Sequence, residues 1–268
     1  MVNIVNEKIR RDSLCEIIDE VAYSYYDKNK KCANIIDDDK KLKLITGYSI
    51  VLFNYASEIS YLIKGDKFTT IHSLTRDFLE CYAIIIESIK LYDKENENIR
   101  FQKELIINGL NQEIKTIKEL KINGYNAYSN NIKYVKSRLN NYFLEERVKN
   151  KILTKDVIEK MEFKELGRVV YELYNRYAAK KSANNFIARQ LKQNSFLEEF
   201  KTNNAIYREL CNYTHMNRAA IENMILLEDE NVSVITNFKP SDNIPFLLTL
   251  IYSCLKDVFQ KINKIINE

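Results

Sequence analysis

The 268-residue chain carries 41 Lys+Arg against 37 Asp+Glu, a net charge of +4, with 46% hydrophobic and 29% charged residues. That is the balance of an ordinary globular protein rather than a disordered or fibrous one. Five Gly and two Pro fall far below the roughly 12% of positions these residues usually fill; many-stranded folds need them at tight turns, so a large barrel or sandwich is excluded.

The composition predicts an all-α, long-helix bundle, and apolar periodicity places its helices. A first helix is expected over residues 3–28 and a second over 34–64, with a break near Gly47. The Gly65-Asp66 stop precedes a third at 67–92, where Phe68, Ile71, Thr75, Phe78, Tyr82, Ile85 and Ile89 form a buried stripe. Apolar residues spread nearly all round this helix from Cys81 to Ile89, which predicts a central position. Residues 95–121 give a helix ending at Asn123-Gly124, and 127–152 another, polar and Asn-rich. Shorter helices follow from about 155 to 199, with Thr154 as an N-cap, and then a helix at 202–224. The segments 225–228 and 232–236 flank an acidic turn and read as a small β-hairpin, before a last helix at 244–266 bracketed at its start by Pro240 and Pro245. Residues 1–64 are grouped as an N-terminal helical pair packed on a second helical domain, 65–268, the two making one continuous globular unit.

Counting removes several chemistries. His72 and His215 cannot make a three-His site, and Cys15, Cys32, Cys81, Cys211 and Cys254 contain no Cys-x-x-Cys pair. The odd number and wide spacing suggest free thiols in a reducing cytoplasm. The N-terminus has no apolar signal core, and the longest apolar-looking run, 244–255, is too short for a membrane helix. Phosphate-loop, dinucleotide-binding, zinc-protease and serine-hydrolase motifs are absent from the sequence. No cofactor and no metal are expected, and the location expected is cytoplasmic.

Charge is uneven. Residues 131–197 hold 15 Lys+Arg and 7 Asp+Glu, which suits contact with phosphates, but the charges are not clustered as in a basic arm, which favours a solvated helix face. In the 202–224 helix, Arg208 and His215 are seven residues apart and so lie on one side, about 10 Å apart along the axis. Ile206, Leu210, Tyr213, Ala220 and Met224 make the opposite, apolar stripe. On the third helix Arg76 and Glu80 stand four apart, in the order that stabilises an isolated helix less than the reverse. They have either a tertiary task, such as Glu80 holding Arg76 or Arg208, or a purely structural one. His215 reads either as a helix-end residue or as an acid–base group, whereas His72 has no functional context. Cys211 lies one turn from His215, but no oxyanion motif supports a nucleophile pair.

The Arg208-x6-His215 pattern resembles the R-x4-6-H signature of the HEPN superfamily, helical proteins that include metal-independent ribonucleases of toxin and antiviral systems. It is similar in wider context to a group of uncharacterised bacterial helical proteins. These pair an R-x-x-x-E helix, here Arg76 to Glu80, with a late Y-R-x-L-S-x-x-x-H helix, here Tyr207 to His215. The similarity spans about residues 60–267, with Glu209 and Cys211 departing from the residues usual at those positions. It implies a homodimer in which two such helices face each other, with Arg208 and His215 as catalytic residues. Arg76, Glu80, Tyr207 and Asn212 would support them. From its charge, the basic region 131–197 is the expected contact for RNA, and a regulatory protein partner is a further expectation. A non-catalytic module of the same fold, binding a protein or a nucleotide, is the alternative.

Overall fold

The computed structural model describes residues 2–31, 39–67, 70–122, 129–148, 151–178, 210, 225–228, 231–234 and 244–267. The protein is all-α with small two-stranded hairpins. Its helices are α1 (Val2–Lys31), α2 (Lys40–Lys64), α3 (Ile71–Lys90), α4 (Glu95–Ile122), α5 (Ser129–Tyr142), α6 (Lys155–Lys160), α7 (Phe163–Tyr177) and α8 (Ile244–Asn267). Two antiparallel pairs join them: β1 (Arg147–Val148) with β2 (Lys151–Ile152), and β3 (Ile225–Glu228) with β4 (Asn231–Val234). By contact the chain divides into two compact units, Met1–Lys90 with Ala183–Glu268, and Leu91–Ser182. The helical pair of residues 1–64 thus shares a unit with α3 and α8.

Among the described residues, the first unit is a four-helix arrangement. α2 packs against α1 and α3, and α8 closes the ring by packing on α1 and α3. Each seam follows from a buried helical stripe: Ile45, Leu52, Phe53, Ile59 and Ile63 of α2, and Ile71, Phe78, Tyr82 and Ile85 of α3. From α8, Leu248, Ile251, Leu255 and Val258 face them in the core. Tyr25 of α1 stacks on Phe53, ring centroids 4.0 Å apart. Polar ties sit at the edges. Lys64 Nζ is 2.8 Å from Asp19 Oδ2, which also accepts from Ser60 Oγ at 3.1 Å. The Tyr82 hydroxyl donates to Asp257 Oδ2 at 2.8 Å, linking α3 to α8.

Two expectations change here. α2 is capped by Asp39, whose Oδ1 accepts from the Lys41 and Leu42 amides at 2.7 and 3.1 Å, so its first turn starts at Lys40. It also runs unbroken through Gly47, because a single glycine lowers helix stability without ending the helix.

The second unit is built on α4, with α5 and α7 laid against it and α6 against α5. Its core joins Ile107, Leu110, Ile114 and Ile117 of α4 to Val135 and Leu139 of α5 and Leu166, Val170 and Leu173 of α7. The helix expected over 127–152 stops at Tyr142. Phe143 is buried, Glu145 takes a left-handed φ of 67°, and the chain turns back as β1–β2 with Arg147 paired to Ile152. Thr154 caps α6 by accepting from the Val157 amide. In the β3–β4 hairpin the register pairs Ile225 with Val234 and Glu228 with Asn231, so β4 begins one residue earlier than the sequence suggested.

Candidate functional site

Of the six residues singled out in the sequence, the structure places two. Arg76 and Glu80 lie on α3, the helix that α2 and α8 both pack against. They flank the buried stripe without joining it: the side chains are 24% and 36% exposed, and Arg76 Nη2 sits 2.9 Å from Glu80 Oε1. Asp77 lies between them. Burial pushes its carboxyl above the usual range, the Glu80 charge adds to this, and Arg76 opposes it. From α2, the Tyr55 phenol is raised by burial and then by the charges around it, Asp77 first and Glu58 and Glu80 after. This edge of the α2–α3 seam therefore carries two carboxylates, Asp77 and Glu80, beside one guanidinium that is already paired. By itself it repels rather than cradles a phosphate.

His72, one turn before Arg76, is half-buried, and burial holds its imidazole below the ordinary value, so it is neutral at pH 7. Arg208, His215, Tyr207 and Asn212 lie outside the described residues, as does Cys211. Leu210, within the same stretch, is helical and 2% exposed, on the side of the helix where the sequence put its apolar stripe. Cys15, Cys81 and Cys254 are free and buried. Burial raises the Cys81 thiol to about 12 and the Cys254 thiol well above its normal value, which removes both as nucleophiles at neutral pH. Among the described residues no three His, Cys, Asp or Glu side chains gather as a metal site requires. None of the described helices is long and apolar enough to cross a membrane.

Sequence reasoning missed a second cluster, in the α4–α7 unit. Glu146, at the turn into β1, is 16% exposed and takes Lys103 from α4 and Arg176 from the end of α7, the latter at 2.9 Å. The Tyr177 hydroxyl donates to the same carboxylate, and Arg176 Nη2 also donates to the Arg147 carbonyl at 2.7 Å. Burial alone would raise the Glu146 pKa. Hydrogen bonds from Lys103 and Tyr177, with the charges of Lys103 and Arg176, overcome it and hold the carboxyl below its usual range. Lys103 is raised for the matching reason, its loss of water being outweighed by Glu146. At neutral pH every member is locked in one charge state, so the cluster clamps three elements together and is not an acid–base centre. Its members are 30 to 43 residues from Glu146 in the chain, a separation with no motif to announce it.

Beside it, Val148, Leu153, Met161 and Val169 floor a pocket of about 280 Å³ whose rim is Lys151, Glu165, Arg168 and Glu172. The rim is balanced in charge and partly self-paired, with Lys151 3.1 Å from Glu165. Other cations of the basic region also meet local partners: Lys136 donates to the Glu159 carbonyl, and Arg138 lies over the Tyr134 ring. Comparison with protein-family models, with curated proteins and with solved structures finds no match.

Proposed function

We propose that this protein is a HEPN-like, metal-independent endoribonuclease that works as a homodimer, as the effector of a toxin or antiviral system, with Arg208 and His215 as its catalytic pair. Leu210 supports the reading: it is helical and buried. On a continuous helix with Leu210 turned inward, positions 208 and 215 would fall about 160° and 140° round from it. The attacking group is the RNA 2′-hydroxyl. Its oxygen bonds to the adjacent phosphorus, the bond to the 5′-oxygen breaks, and a cyclic phosphate and a 5′-hydroxyl result. Histidine at neutral pH can take the first proton or supply the second. The Arg208 guanidinium answers the charge that builds on the equatorial oxygens. Two copies of the pair, one from each protomer, supply the acid and the base together.

The test is cleavage of mixed cellular RNA in EDTA by wild type, Arg208→Ala and His215→Ala. The reading stands if wild type cuts and both folded variants are silent. It fails if all three cut alike, or if a clean wild-type dimer leaves RNA intact.

A second reading draws on the Arg76–Glu80 pair. Here the chain is a non-catalytic module that binds a protein or a nucleotide, and Arg76, Glu80, Arg208 and His215 form a polar cluster that sets helix register. The Arg76 charge is met within its own helix at 2.9 Å, as a structural pair would be. Intact RNA in the assay above is the outcome that favours it.

A further inference from the structure

The outward face of α2 is unusual for a solvent-facing surface. Ile50, Val51 and Tyr61 are all exposed on it, Tyr61 to 73%. Gly47 stands one turn before Ile50 on the same side, and a Cβ added there would meet nothing within 4 Å. A glycine in a helix interior is less stable than alanine, and packing among the described residues gives no reason for it. Positions 43, 47, 50, 54 and 61 follow the three-and-four spacing of a helix–helix seam. Lys43 stands near one end and Glu58 near the other, both exposed.

These positions are self-complementary in one orientation. A two-fold axis passing between Ile50 and Val51 brings Ile50 of one chain against Val51 of the other. It also sets Gly47 against Asn54, where the missing side chain lets the backbones approach, and Lys43 against Glu58, twice. A parallel pairing would instead stack Lys43 on Lys43 and Glu58 on Glu58. We propose that the outward face of α2 is a homodimer surface, on which a second copy of this chain docks antiparallel with the two-fold axis between Ile50 and Val51. The seam from 43 to 61 is about 27 Å long, so the contact belongs with the small, transient class. It uses none of the residues assigned to the proposed Arg208/His215 site and does not depend on that reading.

The experiment is sedimentation velocity on the full chain, from about 5 to 500 µM, the range in which transient contacts dissociate. Wild type is expected to show a reversible monomer–dimer equilibrium. Lys43→Glu and Glu58→Lys each replace two attractive pairs by two repulsive ones and should weaken it at least about tenfold. An equimolar mixture of the two folded variants should recover a one-to-one dimer, because each restores the other's partners. Gly47→Ala should raise the dissociation constant while raising the melting temperature of the monomer, two effects that a purely intramolecular role cannot combine. A wild type that stays monomeric overturns the proposal. So does a charge variant that associates as wild type does, which would place the contact on another face, or a mixture that fails to associate. RNA cleavage is read in a separate assay, and a dimer that both charge variants leave intact overturns this proposal while sparing the ribonuclease reading.

Discussion

The two compact units spend their polar residues differently. In the unit of α1, α2, α3 and α8 the seams are largely apolar, and pairs such as Lys64–Asp19 and Arg76–Glu80 sit at the margins. Apart from α4, the α4–α7 unit has shorter helices and a hairpin of two-residue strands, and it puts a largely covered carboxylate, Glu146, under three donors to hold them. A long amphipathic helix gains enough from its buried stripe to need little else. Short elements that bury less need a directional tie to fix their arrangement. Stability in the first unit should therefore answer to volume, and in the second to charge.

The largest effect should come from volume. Phe78→Ala removes a fully buried ring from α3 and is expected to destabilise the first unit by about 3–5 kcal/mol in urea unfolding. Thiol labelling tells the units apart, since residues 91–182 contain no cysteine. Followed by mass spectrometry, Cys81 and Cys254 should resist alkylation at pH 8 in wild type and become reactive in Phe78→Ala. Glu146→Ala should leave them protected; fast labelling there would mean that the units do not open separately.

Next is charge. Glu146→Ala strands Lys103 and Tyr177 and is expected to lower stability by about 2 kcal/mol. Because the folded Glu146 pKa lies below its unfolded value near 4.5, its contribution is complete above about pH 4.5 and is lost as pH falls through the folded value. Melting profiles between about pH 3 and 7 should thus lose part of their acid limb in Glu146→Gln, and a superimposable limb would show that another carboxylate governs it. The smallest effect should be Glu80→Ala, about 0.3–0.5 kcal/mol for a partly exposed pair one turn apart. A loss several times larger would mean that Glu80 holds more than Arg76.

These contrasts also mark what a sequence can disclose. The long helices were legible because each writes its own period: the stripe from Ile71 through Ile85 is buried as spaced, and α8 departs from its expected limits by one residue. The Asp39 cap is also encoded locally, as the last of three successive aspartates, but the apolar pattern alone sets the helix start several residues too early. The end of α5 was not legible. What stops it is a set of contacts made after Phe143, by Glu146 with residues far along the chain, and no local preference encodes them. The candidate site divides in the same way. Arg76 and Glu80 are close in sequence and pair in the structure, whereas the Glu146 cluster exists only once α4 and α7 are side by side.

The first unit is assembled from both ends of the chain, and this has a consequence during synthesis. α1 to α3 are complete at Lys90, but α8 begins at Ile244, about 150 residues later. At about 5–20 residues per second, three helices wait roughly ten to thirty seconds with one side of their core uncovered. The contiguous residues 91–182 can reach their final fold within that interval. A ribosome that stops before α8 therefore releases a chain whose middle is folded and whose ends are not. Such a product displays Phe78 and its apolar neighbours to chaperones and proteases, so an unfinished copy is marked for removal by its own missing helix.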